Sequence, residues 1–160
     1  MRSPRLRCRR VTVDEALALV QEALVIDGPH ARAYPDDGTR FFALRMLERY
    51  TDDADVFGMY HVMEAERDTI VGHVGFHGGP DGDHAVRIGY AIAEDARGQG
   101  YATEAVAWIV SLSKAHPDVQ LVRADTGTEN LASQRVLEHS GFVQVRGDSH
   151  NMFYELAVRT

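Results

Sequence analysis

The stretch that decides the fold is VRIGYAIAEDARGQGYATEAV, residues 86–106. Its first part belongs to a strand, HAVRIGYAIA. Its end opens a helix over about 101–115, with Tyr101, Ala105, Trp108 and Leu112 on one stripe. Between strand and helix lie Arg97, Gly98, Gln99, Gly100, Tyr101 and Ala102. Glycines at such a junction let several backbone N–H groups converge on one anion, and the positive end of the helix dipole sits at the same place. Arg97 adds a charge that pairs with phosphate. A nucleotide P-loop is excluded, because Tyr101 follows Gly100 where a lysine is required and the lone lysine is Lys114. The dinucleotide pattern G-x-G-x-x-G fits Gly98 and Gly100 but has Thr103 at its sixth position, and three strands precede this strand–loop–helix unit, which in that fold comes first. Taken alone, the loop is either an anion cradle or a plain turn.

Working outward, RLRCRRVTV alternates and reads as a first strand over residues 5–12. Thr12 to Glu15 forms a capping box for a helix through DEALALVQEAL, and Thr39 caps a second, RFFALRMLERY. DVFGMYHVMEA and TIVGHVGFHG make a hairpin around ERD. After the long helix come the strand VQLVRADT, the short helix NLASQRVLEHS ended by Gly141, and a hairpin of FVQVRG with NMFYELAV. This order implies a mixed α/β (α+β) sheet of six to seven mostly antiparallel strands with about four helices. The long helix crosses between strands four and five as parallel neighbours.

The length of 160 residues suits one domain, read here as a single unit over 1–160. The single cysteine, Cys8, excludes an internal disulfide and a cysteine-based zinc cluster, and its place among arginines suits a small core residue. No apolar run has the length of a membrane span or the form of a signal peptide, so a cytoplasmic location is expected. Five of the seventeen basic residues fall in the first ten, as Arg2, Arg5, Arg7, Arg9 and Arg10, which leaves 12 basic against 24 acidic residues elsewhere. An acidic body disfavours nucleic acid and attracts cations. The arginines read as a solvated edge strand. Eight histidines show no HExxH and no Cys/His cluster, so no metal is expected, although His73 and His77 share a strand face.

RGQGYA matches the R/Q-x-x-G-x-G/A signature of the GNAT superfamily of N-acetyltransferases. VRADTGTENLASQRVLEHSGF resembles that family's fifth strand and fourth helix, particularly the E-N-x-x-S-x-x-V-L-x-x-x-G-F segment of the ribosomal-protein N-terminal acetyltransferase branch. The resemblance covers nearly the whole chain. It implies an acyl-CoA N-acyltransferase fold whose strands four and five splay to admit pantetheine, with acetyl-CoA as co-substrate and no metal. Residues Arg97, Gly98, Gln99, Gly100, Tyr101, Ala102 and Thr103 would hold the pyrophosphate. Ile92 and Ala93 would line the thioester, with the Ile92 backbone N–H as oxyanion donor. Asn130 would hold the pantetheine arm and Ser133 would protonate the departing sulfur, with Tyr154 a substitute acid.

The branch's strand-four acid is replaced by Arg87. His84, Glu94, Glu64 and His73 are the remaining base candidates. An α-amine with a pKa of about 7.7–8.0 is substantially neutral without one. The acceptor is expected to be a protein N-terminus or a small amine, drawn by Asp27, Asp36 and Asp37 in the segment between the first two helices. The enzyme would act as a monomer or homodimer. The rival readings are a non-catalytic acyl-CoA-binding or sensing module and a nucleotide-binding regulatory domain.

Overall fold

The computed structural model describes residues 5–22, 28–49, 53 and 55–159. Its elements follow in the expected order. They are β1 (Leu6–Arg10), α1 (Val13–Val20), α2 (Asp37–Arg49), β2 (Met59–Glu64), β3 (Thr69–Phe76), β4 (Ala85–Ile92), α3 (Tyr101–Ala115), β5 (Leu121–Gly127), α4 (Leu131–His139), β6 (Val143–Gly147) and β7 (Asn151–Ala157). The seven strands form one sheet in the order β1-β2-β3-β4-β5-β7-β6, and only β4 and β5 run parallel.

Register partners share a face of the sheet. Tyr60, Val74 and Tyr90 are partners across β2, β3 and β4, as are Phe76 with Ile88 and Gly72 with Ile92. That face carries the larger core, closed by Tyr101, Ala105, Val106 and Ile109 of α3 and Leu137 of α4. His61, His73 and Ala91 are partners on the other face, where Phe42, Ala43 and Met46 of α2 close a smaller core with α1. Burying area on both faces is what holds the central strands, at roughly 25 cal/mol per Å² of apolar surface.

Local chemistry explains most boundaries. Thr12 caps α1, its side chain taking the Glu15 N–H while Glu15 reaches back, as a capping box requires. The end of the first predicted helix, Ala23 and Leu24, lies outside the described residues, as do Arg2, Asp27 and Tyr50. Thr39 is not the cap of α2. Asp36 performs that role, its Oδ1 accepting from the Thr39 N–H at 2.8 Å, because a carboxylate three residues before an N–H satisfies it directly. Thr39 is thereby turned inward and buried. The buried stripe of α3 also differs from the expected one. Tyr101 and Ala105 are buried, but Ile109 and Ser113 continue the stripe, while Trp108 and Leu112 flank it and Trp108 packs against Tyr60.

The arginines in and just before β1 are not simply solvated. Arg5 pairs with Glu104 at 2.9 Å, Arg9 with Glu15 at 3.0 Å, and Arg7 with Asp68. Arg10 donates to the carbonyls of Asp55 and Met59. Cys8 packs against the core, and burial pushes its thiol up to about 12.

Candidate active site

The sheet opens in its middle. β4 and β5 pair only from Ala85 with Leu121 to Arg87 with Arg123, although β4 continues to Ile92 and β5 to Gly127. The residues of β4 beyond Arg87 therefore have no β5 partner. Neighbouring residues of a strand direct their backbone groups to opposite sides. His77 donates its N–H to Arg87 O and Ala93 donates to Val71 O, both at 2.8 Å, so the odd-numbered residues here face β3. By that alternation Tyr90 and Ile92 turn their N–H groups into the opening. Of the two backbone donors expected at the thioester, Ala93 is thus already engaged and Ile92 is not.

A cleft of about 400 Å³ lies along this opening, between β4 and the first turns of α3 and α4. Its floor near β4 is Tyr90, Ala91 and Ile92. Its rim is formed by Arg97, Gly98 and Gly100 on one side and Asn130 and Ser133 on the other. Gly98 and Gly100 have φ of 81° and 80°, the left-handed region that side chains with a Cβ enter at a cost. Gly100 is the N-cap of α3 and offers no side-chain acceptor, so the first N–H groups of that helix stay available. Tyr101, Ala102 and Thr103 continue the lining. Gln99 does not line the cleft; its Nε2 lies 3.5 Å from Ala96 O. Arg97 donates from Nε to Ile92 O at 3.1 Å, which ties the loop to the end of β4.

Across the opening, Asn130 caps α4 by accepting the Ser133 N–H at 3.1 Å. Ser133 Oγ meets the Tyr90 hydroxyl at 2.7 Å. Burial pushes the Tyr90 phenol up from its ordinary value, against the opposing effect of the Ser133 hydrogen bond. Tyr90 belongs to neither of the two sequence motifs that mark the cleft. Its signal was the alternation of β4, which puts Tyr90 on the face of Ile88 and Ile92.

The other candidates are not brought to the cleft. His84 lies in the turn before β4, at the opposite end from Ile92, with φ of 56° and Nδ1 against Asp118 O. Glu94 is exposed in the single turn after β4. Glu64 ends β2, two strands away. Tyr154 is buried in the core. Arg87 lies 3.8 Å from Asp125 on β5. His73 is the nearest of the titratable candidates in register, opposite Ala91 on the α2 face, where its Nδ1 is 3.3 Å from Thr39 Oγ1. Burial lowers its pKa to about 4, partly offset by Asp36, so it is neutral at pH 7.

On the same face Tyr34 OH meets His61 Nδ1 at 2.8 Å and His61 Nε2 meets Glu15 at 3.2 Å. Of the loop aspartates, Asp36 is engaged as the α2 cap and Asp37 is exposed beside Arg40. The sequence also concealed the role of Asp95, whose carboxylate accepts the N–H groups of Arg32 and Ala33 and pins the segment before α2 to the glycine loop. Among the described residues no group of three or more His, Cys, Asp or Glu side chains is placed to hold a metal ion, and no helix is long and apolar enough to cross a membrane.

Comparison with known proteins agrees with this geometry. A family model described as the acetyltransferase (GNAT) domain matches residues 5–143. The chain belongs to the GNAT acetyltransferase family. It is 31% identical over 87 residues to an uncharacterized N-acetyltransferase, YjdG, of Bacillus subtilis strain 168, a match covering 54% of this chain and 52% of that relative. The chain therefore spans about half the length of the curated relative it matches.

Among solved structures, a GNAT-family acetyltransferase from Bacillus anthracis superposes with a TM-score of 0.66 at 18% identity, covering 99% of this chain and 98% of that one. The RimL ribosomal L7/L12 alpha-N-protein acetyltransferase in complex with coenzyme A gives 0.69 at 19% identity, covering 97% and 95%. A ribosomal-protein-S5-alanine acetyltransferase from Vibrio fischeri gives 0.67 at 15% identity, covering 98% and 95%. At these identities the likeness is one of fold.

Proposed function

We propose that this chain, acting as one domain, transfers the acetyl group of acetyl-CoA to a primary amine by direct attack within a ternary complex. The observation that carries the reading is the unpaired edge of β4. It runs from beyond Arg87 to Ile92 and ends at a loop with two glycines at positive φ. An extended amide-bearing chain such as pantetheine fits an edge that lacks a β-partner, and a pyrophosphate fits the loop. A Cβ built on Gly98 would meet nothing within 4 Å, so the backbone there is open to a ligand.

In this reading the N–H groups around Gly98 and Gly100, with Arg97, bind the pyrophosphate. The Ile92 N–H hydrogen-bonds the thioester oxygen, where negative charge develops as the amine attacks. Ser133 gives the departing sulfur its proton. Asn130 holds Ser133 at the first turn of α4 and accepts or donates to the pantetheine arm with its free amide atoms. The acceptor is a protein N-terminus or a small amine. The absence of a carboxylate at Arg87 suits an α-amine, which is substantially neutral near pH 7.7–8.0, better than a lysine amine near 10.4.

Calorimetry with CoA, NAD and ATP tests the cofactor, and a panel of amines and peptides with detection of released thiol tests the reaction. CoA binding and amine-dependent thiol release are expected. CoA binding without release on any acceptor would favour a sensing module, and NAD binding without CoA binding would end the acetyltransferase reading. Ser133→Ala is expected to lower turnover while leaving the CoA Kd near its original value.

A further inference from the structure

We infer that Tyr90 is the positioning and proton-supplying partner of Ser133, so that two hydroxyls spanning the opening of the sheet act as one relay. The inference rests on the reading of Ser133 as the group beside the leaving sulfur. Tyr90 stands on β4 beyond Arg87, where no β5 residue pairs with it. Its side chain crosses to α4 and meets Ser133 Oγ at 2.7 Å, the usual distance of a well-formed hydroxyl–hydroxyl hydrogen bond. Both residues line the same cleft as Ile92 and the glycine loop.

The pair solves an orientation problem. A lone serine hydroxyl rotates freely about its C–O bond. The Ser133 backbone is fixed by the Asn130 cap, but that bond leaves its hydroxyl proton undirected. Burial keeps the phenol protonated at neutral pH, and in the relay its proton goes to Ser133 Oγ at 2.7 Å rather than to the Ser133 carbonyl at 3.4 Å, the geometry at Oγ allowing either hydroxyl to donate. With that lone pair occupied, the Ser133 O–H is directed away from Tyr90 and into the cleft.

The proton count closes. As the C–S bond of the tetrahedral intermediate breaks, its electron pair goes to sulfur. The Ser133 proton passes to sulfur, and the Tyr90 proton passes to Ser133 Oγ. The charge then lies on the Tyr90 phenolate. The proton that the amine nitrogen loses on becoming an amide returns the phenol to its starting form through solvent. The net products are the amide and the free thiol, with both hydroxyls regenerated. No other described ionisable side chain of the cleft lining reaches Ser133 Oγ; Arg97 is directed to Ile92 O.

The test uses the whole chain with Tyr90→Phe, Ser133→Ala and the double variant, at saturating acetyl-CoA and a peptide amine. Removal of a general acid costs roughly 10²–10⁴ in rate when nothing replaces it. Tyr90→Phe is expected to lower kcat at least tenfold, with the CoA Kd within threefold of the parent by calorimetry. The double variant is expected to be no slower than the slower single variant, since both members serve one step. The alkaline limb of the kcat–pH profile is expected to move in Tyr90→Phe, a change that loss of packing alone does not produce. Thermal unfolding checks that each variant is folded, and Tyr90→Met serves as a second hydroxyl-free variant if Phe is unstable. If Ser133→Ala turns over like the parent, the acid assignment falls and the relay with it. If Ser133→Ala is slow but Tyr90→Phe is within threefold of the parent, or if the two losses multiply in the double variant, the relay alone is overturned.

Discussion

Substitution of Gly100 separates the conformational role of the loop from the pyrophosphate-binding role proposed for it. Gly100 sits at φ of 80°, and a Cβ built on it lies 3.1 Å from Arg5 Nη2, the far end of a side chain paired with Glu104, which needs to give by only a few tenths of an ångström. Gly100→Ala is therefore limited by the left-handed backbone, which costs a residue with a Cβ about 1–2 kcal/mol. Gly100→Trp carries the same backbone cost and also places an indole beside the N–H groups that face the cleft. Losing two hydrogen bonds to a charged group at roughly 1.5–3 kcal/mol each removes about 3–6 kcal/mol of affinity, or more than a hundredfold in Kd. Urea unfolding is expected to give nearly equal destabilisation for the two variants. Calorimetry with CoA is expected to show a modest loss for Ala and no measurable binding for Trp. A Trp variant that binds CoA within threefold of the parent, while destabilised like Ala, would refute the loop as the pyrophosphate site.

Other consequences follow from the polar groups on the α2 face and at the loop. His73 titrates at about 4 when folded against about 6.5 when unfolded, so its contribution is complete above the unfolded value and declines as pH falls through that window. About 2 kcal/mol of stability is expected to go between pH 7 and pH 5; in His73→Asn, which keeps a polar group beside Thr39, urea midpoints should not fall by that increment. Burial alone would raise Glu15, but His61 and Arg9 hold it down to about 2 against an ordinary 4.5. Its contribution, of the order of 2 kcal/mol, is present above pH 4.5 and disappears as pH falls towards 2, so Glu15→Gln should flatten the unfolding curve in that lower window only. Asp95→Ala should speed amide hydrogen exchange at Arg32 and Ala33, whose N–H groups the carboxylate accepts, without a comparable change in the β2–β3 hairpin.

The cleft was readable in outline because its markers are local. Gly98 and Gly100 reveal a backbone requirement by having no Cβ, and the Asn130 to Ser133 segment reveals a helix start by its capping chemistry. The candidate acids and bases were less readable. His84 and Glu94 flank β4 in sequence, yet an eight-residue strand puts its two ends roughly 25 Å apart, so closeness along the chain gave His84 no closeness to Ile92. Thr39 suits a cap by residue type, but Asp36 stands where the geometry needs the acceptor.

By itself, the order of periodic segments determined a mixed sheet with one parallel pair, because the long helix between strands four and five is the crossover that two parallel neighbours need. The same one-dimensional signals carried the glycine loop and its companion helix start. Only the tertiary structure decided where β4 and β5 stop pairing, which backbone N–H of Ile92 and Ala93 faces the opening, and that Tyr90 meets Ser133 across 43 positions of sequence. The physical reason is that pairing partners and side-chain reach between strands depend on register and on the turn at which a helix begins. Neither has a period along the chain, and each appears only when distant segments are packed on one sheet.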